Sequence, residues 1–276
     1  MIEHWVHNLN PVAFNLGESI AVRYYGLAYV FGFLSGILLL KLYYNKKLSK
    51  IDPDMQLDVV LSMIIGSVVG GRLGYCFLYA FPETINNPLS IFKVWEGGMA
   101  SHGGMIGIAL GCYTVARSYN FSFFLLGDFL VTLTPPALFY GRIANFINGE
   151  LWGNVSNVSW AVIFPQSAPS GTAVNLIPPR HPSQLYEAFF EGIILFLIIQ
   201  LRLWKSDVLK TPGRLSGEYF ILYGIFRIFC ESFRAPDSTL ILNMTRGSFY
   251  SVFLIIGGIL LIIYSKISLS KKDKKR

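Results

Sequence analysis

Gly141-Arg142-Ile143-Ala144-Asn145-Phe146-Ile147-Asn148-Gly149-Glu150-Leu151-Trp152-Gly153 is where an apolar run stops. Arg142, Asn145, Asn148 and Glu150 follow one another closely there. So much hydrogen-bonding capacity is costly at the edge of a lipid-soluble helix unless partners are supplied. Gly149 and Gly153 point to backbone conformations closed to other residues. Trp152 suits the headgroup level of a bilayer. Two readings stay open on this stretch alone. It is either an interfacial helix end closed by a capping turn or a polar site at the membrane face.

Composition decides the setting. Of 276 residues, 53% are hydrophobic and only 14% charged, with a mean hydropathy of +0.49; soluble domains carry roughly 25% charged residues. The sequence predicts an all-α polytopic membrane protein, one transmembrane domain over residues 1–276. About seven transmembrane helices are drawn, near 21–43, 57–80, 99–117, 122–142, 184–203, 216–233 and 248–265. A small extracytoplasmic head with short strands is expected at about 143–183, since some 40 residues is too long for a simple connection. No internal repeat is visible. Residues 1–19 lack a basic leader and carry Glu3 and Glu18, so the first span is expected to remain as an anchor.

The net charge of +7 reflects topology rather than nucleic-acid binding. Lys41, Lys46, Lys47, Lys50, Arg117, Arg202, Lys205, Lys210, Arg214 and the basic residues from Lys266 to Arg276 fall on one side, fifteen against five on the other. The positive-inside rule then places the N-terminus outside and the C-terminus in the cytoplasm. Cys76, Cys112 and Cys230 lie inside apolar runs and read as small buried residues. His4 and His7 without further ligands make a weak metal site, and no metal is expected.

Three arginines, Arg72, Arg142 and Arg227, fall inside or at the ends of spans. A central arginine costs ~2.5–3.5 kcal/mol on insertion scales, so each needs a partner or a wet cavity. On the drawn topology Arg72 lies ~22 Å into a ~30 Å core. Arg142, Arg227, His102 and Tyr25 all fall at or toward the same outer level, which implies one outward-facing polar cavity. Tyr223, Arg227 and Glu231 recur at i, i+4 and i+8 and share a helix face, which Arg234 extends at the rim. The bland alternative is an Arg227–Glu231 pair that only neutralises itself. Arg72 sits in Gly70-Gly71-Arg72-Leu73-Gly74, where glycines allow close helix packing, and it reads equally as structural or as substrate-contacting.

His102 lies in Ser101-His102-Gly103-Gly104. It is either a hydrogen-bonded core residue or, with an ordinary pKa of about 6.5, a general base. Its glycines do not form a dinucleotide fingerprint, since no strand–turn–helix unit surrounds them. Arg180-His181-Pro182-Ser183-Gln184-Leu185-Tyr186-Glu187 reads first as a helix N-terminus. Nothing in its spacing supplies a base that would make Ser183 a nucleophile.

These motifs together resemble one family. The stretch 141–153, His102-Gly103-Gly104, His181-Pro-Ser-Gln-Leu-Tyr-Glu187 and Phe226-Arg227-Ile-Phe-Cys-Glu231-Ser-Phe-Arg234-Ala-Pro-Asp237 look like those of bacterial phosphatidylglycerol–prolipoprotein diacylglyceryl transferases. The similarity runs from Tyr24-Tyr25-Gly26 to the last helix.

The resemblance implies transfer of the diacylglyceryl group of phosphatidylglycerol to the lipobox cysteine of a prolipoprotein, with release of glycerol phosphate. It implies a bacterial inner-membrane enzyme facing outward, with no cofactor and no nucleic-acid partner. It ties activity or substrate contact to Tyr25, His102, Arg142, Asn145, Glu150, Gly153, Tyr223, Arg227, Glu231 and Arg234. On this view Arg142 and Arg227 grip the phosphate, because a planar guanidinium can meet two oxygens at once. Glu231 orients Arg227, and His102 is the candidate base, although nearby arginines could themselves favour the thiolate. Tyr25 and Tyr223 place the headgroup hydroxyls, while Asn148 and Gly153 shape the loop over the site. A transporter or channel for an anionic solute, or a non-catalytic lipid-binding protein, is the rival expectation.

Overall fold

Proline and glycine punctuate the helices. In the computed structural model, residues 4–17, 20–236 and 239–273 are described. Glu3, Glu18, Asp237 and the basic end from 274 lie outside the described residues. Short strands β1 (Trp5–Val6), β2 (Val12–Leu16) and β3 (Ile20–Arg23) come first, β2 and β3 forming an antiparallel hairpin. Then follow α1 (Tyr24–Asn45), α2 (Pro53–Leu78), α3 (Phe81–Asn86), α4 (Ser101–Ser118), α5 (Phe123–Leu130) and α6 (Thr134–Ile147). Pro135 and Pro136 separate α5 from α6, because a proline ring clashes with the carbonyl four residues back.

After α6 come β4 (Val162–Ile163), which pairs in parallel with β1, and α7 (Ser183–Glu187). A π-helical stretch (Ala188–Ile194) links α7 to α8 (Leu195–Lys205). The chain ends with α9 (Arg214–Glu231) and α10 (Arg246–Asp273). Each of the seven expected apolar runs overlaps helix, although the first begins in β3 and the fourth is broken by a turn at 131–133. Five stretches are long and apolar enough to cross a membrane: Tyr24–Asn45, Pro53–Leu78, Phe123–Ile147, Ser183–Lys205 and Arg246–Ser270. The other two are shorter, and polar residues dilute them: His102 and Arg117 in α4, and Arg214, Glu218, Arg227 and Glu231 in α9.

The chain forms two compact units, Ile37–Leu126 and the combination of Met1–Gly36 with Gly127–Arg276. In the first, α2 and α4 meet backbone to backbone. A Cβ on Gly74 would stand 2.9 Å from the Cα of Gly103, and one on Gly70 would strike the Gly103 carbonyl. The expected close packing of the Gly70-Gly71-Arg72 helix thus finds its partner in the glycine-rich start of α4. Asp52 caps α2 by accepting from the Met55 N–H at 2.9 Å, with Pro53 next to it.

In the second unit α9 packs on α10 through Gly217 and Gly258, whose added Cβ atoms would meet the opposite helix. The α9 N-terminus is capped from a distance. The fully buried Asp128 carboxylate of α5 accepts from the N–H groups of Gly213 and Ser216, both at 2.7 Å, and from the Ser216 hydroxyl at 2.8 Å. Those orphan helix donors would otherwise be unpaired in an apolar setting.

Candidate active site

The stretch 141–153 closes a helix with a capping turn and also contributes one arginine to a buried ion cluster. α6 ends in a Schellman turn: Gly149 N–H donates to Phe146 O at 3.0 Å and Glu150 N–H to Asn145 O at 3.2 Å. Gly149 takes φ +66°, which glycine adopts without strain. The Glu150 carboxylate accepts from Asn145 Nδ2 at 2.7 Å and Asn148 Nδ2 at 3.3 Å. Gln184 Nε2, on α7, donates to the Glu150 carbonyl at 2.6 Å. Asn145, Asn148 and Glu150 therefore lock the helix end to α7. Arg142, one turn earlier, points elsewhere.

Arg142 meets Arg227 and Arg234 around two carboxylates of the Ser183–Lys205 stretch. Glu187 is the hub. Its Oε1 takes Arg227 Nη1 at 2.9 Å and Arg234 Nη1 at 3.3 Å, and its Oε2 faces Arg142 Nε at 2.8 Å. This last contact is Coulombic, because the Arg142 N–H is not aimed along it and neither atom has an aligned hydrogen-bond partner. Glu191 bridges Arg142 Nη2 at 3.3 Å and Arg227 Nη1 at 3.2 Å. Glu231 binds Arg227 Nη2 at 2.5 Å and stands 3.9 Å from Arg234 Nη1. Glu187 and Glu191 are buried, with side-chain exposures of 1% and 0%, whereas Arg142 keeps 16%.

The local fold explains the convergence. Glu191 lies in the π-helical stretch, whose wide turn is common at functional sites. Gly192 lets that stretch approach α6, since a Cβ there would stand 2.7 Å from Phe139 Cβ. Gly247 leaves room on the α10 side, where an added Cβ would collide with the Glu231 carboxylate. Tyr223 stacks on Tyr219 with ring centroids 6.0 Å apart, within electrostatic reach of Glu191, Arg227 and Arg142.

Gly153 fastens the loop to the end of α9. Its N–H donates to His181 O at 2.9 Å, and the next N–H, of Asn154, donates to Phe233 O at 2.8 Å. A Cβ at Gly153 would meet both carbonyls at 2.5–2.6 Å. Gly153 also bridges Arg234 in antiparallel register, so the loop fixes the backbone that carries one cluster arginine. Beside it, His181 Nδ1 lies 3.0 Å from the Tyr186 hydroxyl, which accepts from Trp160 Nε1 at 2.6 Å. Burial pushes the His181 imidazole below its ordinary pKa.

The remaining expected residues stand apart from this cluster's ion pairs. Tyr25 is exposed and hydrogen-bonds the Tyr29 hydroxyl at 3.4 Å. Arg72 and His102 belong to the other unit. Arg72 is buried and gives its donors to backbone carbonyls: Nε to Ile91 at 3.1 Å, Nη1 to Gly97 and Gly98, and Nη2 to Ser90. His102 is exposed on the first turn of α4. Glu187 and Glu191 were not expected as site residues. Their i, i+4 spacing inside an apolar span was the available signal, because two carboxylates there demand cations.

The comparisons agree with the geometry. A family model described as prolipoprotein diacylglyceryl transferase matches residues 11–264. The phosphatidylglycerol–prolipoprotein diacylglyceryl transferase of Rickettsia rickettsii (strain Sheila Smith) is 42% identical over 265 residues, covering 94% of this chain and 97% of the relative. The enzyme of the same name from Rickettsia felis gives the same figures. That of Rickettsia typhi (strain Wilmington) is 42% identical over 262 residues, 92% of this chain and 96% of the relative. Membrane-length apolar helices, a buried cluster of arginines and carboxylates, and matches along nearly the whole chain lead to one assignment: this chain belongs to the prolipoprotein diacylglyceryl transferase family.

Proposed function

We infer that this chain moves the diacylglyceryl group of phosphatidylglycerol onto a prolipoprotein cysteine and releases glycerol phosphate. Family membership carries the activity. The observation that supports its chemistry is the meeting of Arg142 and Arg227, from different helices, on the same two buried carboxylates.

The reaction breaks the bond between the glycerol C3 carbon and a phosphate oxygen. The lipobox cysteine sulfur forms the new thioether bond at that carbon, and the departing oxygen keeps the electron pair. Negative charge therefore grows on the phosphate, where preorganised guanidinium donors in a dry site stabilise the transition state. Arg142 makes the first contact, since it is the most exposed of the three arginines and its Nη1 takes no part in the cluster's ion pairs. Arg227, clamped by Glu231, supplies the second guanidinium. Tyr223 orients the headgroup. Asn145 and Glu150 hold the end of α6, the helix that presents Arg142, Gly153 holds the backbone of Arg234 after α9, and Tyr25 contacts the glycerol headgroup from the start of α1. Arg72 serves the reaction by organising the 90–98 loop through its carbonyls.

The thiol, with an ordinary pKa of ~8.5, must lose its proton. His102 accepts it, and the expected result for His102→Gln is a lower rate with a flattened pH profile below pH 8. An unchanged rate at every pH would remove His102 from this role. The enzyme spans the bacterial inner membrane about seven times with its N-terminus and site outward, and the segment at about 143–183 forms the head. Purified protein given labelled phosphatidylglycerol and a lipobox peptide should raise the peptide's mass by one diacylglyceryl unit. Movement of solute or binding of lipid without that mass gain would favour a transporter or a lipid-binding protein instead.

A further inference from the structure

We propose that Glu187 and Glu191 are specificity and positioning residues that set the charge of the site, so that it holds a singly charged phosphodiester and lets go of a doubly charged phosphomonoester. This rests on the reading above, in which Arg142 and Arg227 take the phosphate. The cluster contains three guanidiniums and three carboxylates, Arg142, Arg227 and Arg234 against Glu187, Glu191 and Glu231, and is formally neutral. Among the described residues, Tyr219, Tyr223 and Cys230 are further titratable groups within electrostatic reach.

Two of the carboxylates are shared among arginines rather than dedicated to one. Glu231, one turn along the same helix, already pairs with Arg227 Nη2 and matches its charge. Glu187 touches all three guanidiniums, and Glu191 bridges two of them, from the π-helical stretch between α7 and α8. Burying two more anions beside a site meant for an anion is expensive unless their charge is itself useful. Their effect is to cancel most of the field of the arginines while leaving the donors of Arg142 directed and partly accessible. A phosphodiester substrate then binds through charge-assisted hydrogen bonds with one excess negative charge. The leaving group ends as a phosphomonoester, which carries nearly two negative charges at neutral pH. The neutral cluster cannot compensate the second charge, so the product departs and the arginines return to Glu187 and Glu191.

The test measures binding of glycerol phosphate, a dianion, and of glycerophosphoglycerol, a monoanion, to the full-length protein in lipid nanodiscs. Both are read as inhibition constants in the transfer assay and as dissociation constants by calorimetry without turnover. Glu187→Gln and Glu191→Gln each remove one negative charge at nearly constant volume. The expected result is at least tenfold tighter glycerol phosphate binding in either variant. The monoanion should gain only about threefold, because Coulomb energy scales with ligand charge. Glu191→Asp keeps the charge and should bind glycerol phosphate as the parent does. Should Glu187→Gln fail to fold, the Glu191 pair still decides the matter. Equal affinities in parent and Gln variants, or equal gains for the two ligands, would overturn the proposal. A parent protein without transfer would count against the proposed function, while the calorimetric comparison would still judge the charge-setting role.

Discussion

Arg72 and Arg227 both sit inside apolar helices, yet they are neutralised by different means. Four backbone carbonyls of the 90–98 loop surround the Arg72 guanidinium, and the Tyr75 ring stands 5.7 Å from its Cζ. Carbonyl dipoles tie down every edge of the fork and knit a loop together. Arg227 instead shares three carboxylates with two other arginines. An ion cluster of this kind can exchange partners, because a phosphate oxygen can stand where a carboxylate oxygen stood. A guanidinium held by its own loop's carbonyls cannot do so without unmaking the loop. The same residue type is therefore held by backbone carbonyls in one place and by side-chain carboxylates in the other.

Substitution with lysine should separate the two most sharply at Arg227. Lysine keeps the charge but loses the planar fork. Arg227→Lys should lower the transfer rate at least a hundredfold, in the range seen when one transition-state donor is removed, with little change in thermal stability. A rate within threefold of the parent would end the two-oxygen model of phosphate binding. At Arg72 the order of effects should reverse. Arg72→Lys should cost ~1–3 kcal/mol by leaving buried carbonyls unpaired, read as faster proteolysis within residues 88–98, and should reduce transfer less than tenfold. A loss as large as that of Arg227→Lys would mean that Arg72 contacts substrate after all.

A smaller effect concerns the N-terminal strand. His7 is buried, and its Nε2 donates to Phe146 O at 2.8 Å, near the α6 end. Burial lowers its pKa below the ordinary value of 6.5. The folded state thus prefers neutral imidazole and the unfolded chain takes up the proton first. Stability from this group is intact above pH ~6.5 and falls as pH drops from there toward the lowered folded value. Melting between pH 7.5 and 5.0 should show a decline of ~1–3 °C that His7→Gln abolishes.

Much of this was legible beforehand, and what was not has physical causes. The apolar runs located every long helix, because hydropathy and length directly report what lipid accepts. The i, i+4, i+8 stripe of Tyr223, Arg227 and Glu231 correctly placed an ion pair on one face of α9. The glycines around Arg72 correctly announced close packing, and the glycine-rich start of α4 supplies the partner. Glu187 and Glu191 escaped notice because their stretch also made a sound helix start, and that reading was right: α7 begins at Ser183, after Pro182. The π-helical turn has no pattern of its own in the residues. Nor do the carbonyl partners of Arg72, since a carbonyl is present at every position and only the loop's path selects four of them. The side-chain role of Glu150 in the turn was not legible: its carboxylate takes Asn145 and Asn148 and its carbonyl takes Gln184, contacts that secure the end of α6 and that only the folded turn brings together.

The central claim is that Arg142 and Arg227 act on one phosphate. The most direct measurement is a double-mutant cycle on transfer to a lipobox peptide, comparing Arg142→Lys, Arg227→Lys and the double variant. The account predicts a large loss for each single variant and a double variant little worse than either, because the second substitution removes a grip already broken. Losses that multiply independently, or one single variant with parental activity, would show that the two arginines do not share a phosphate.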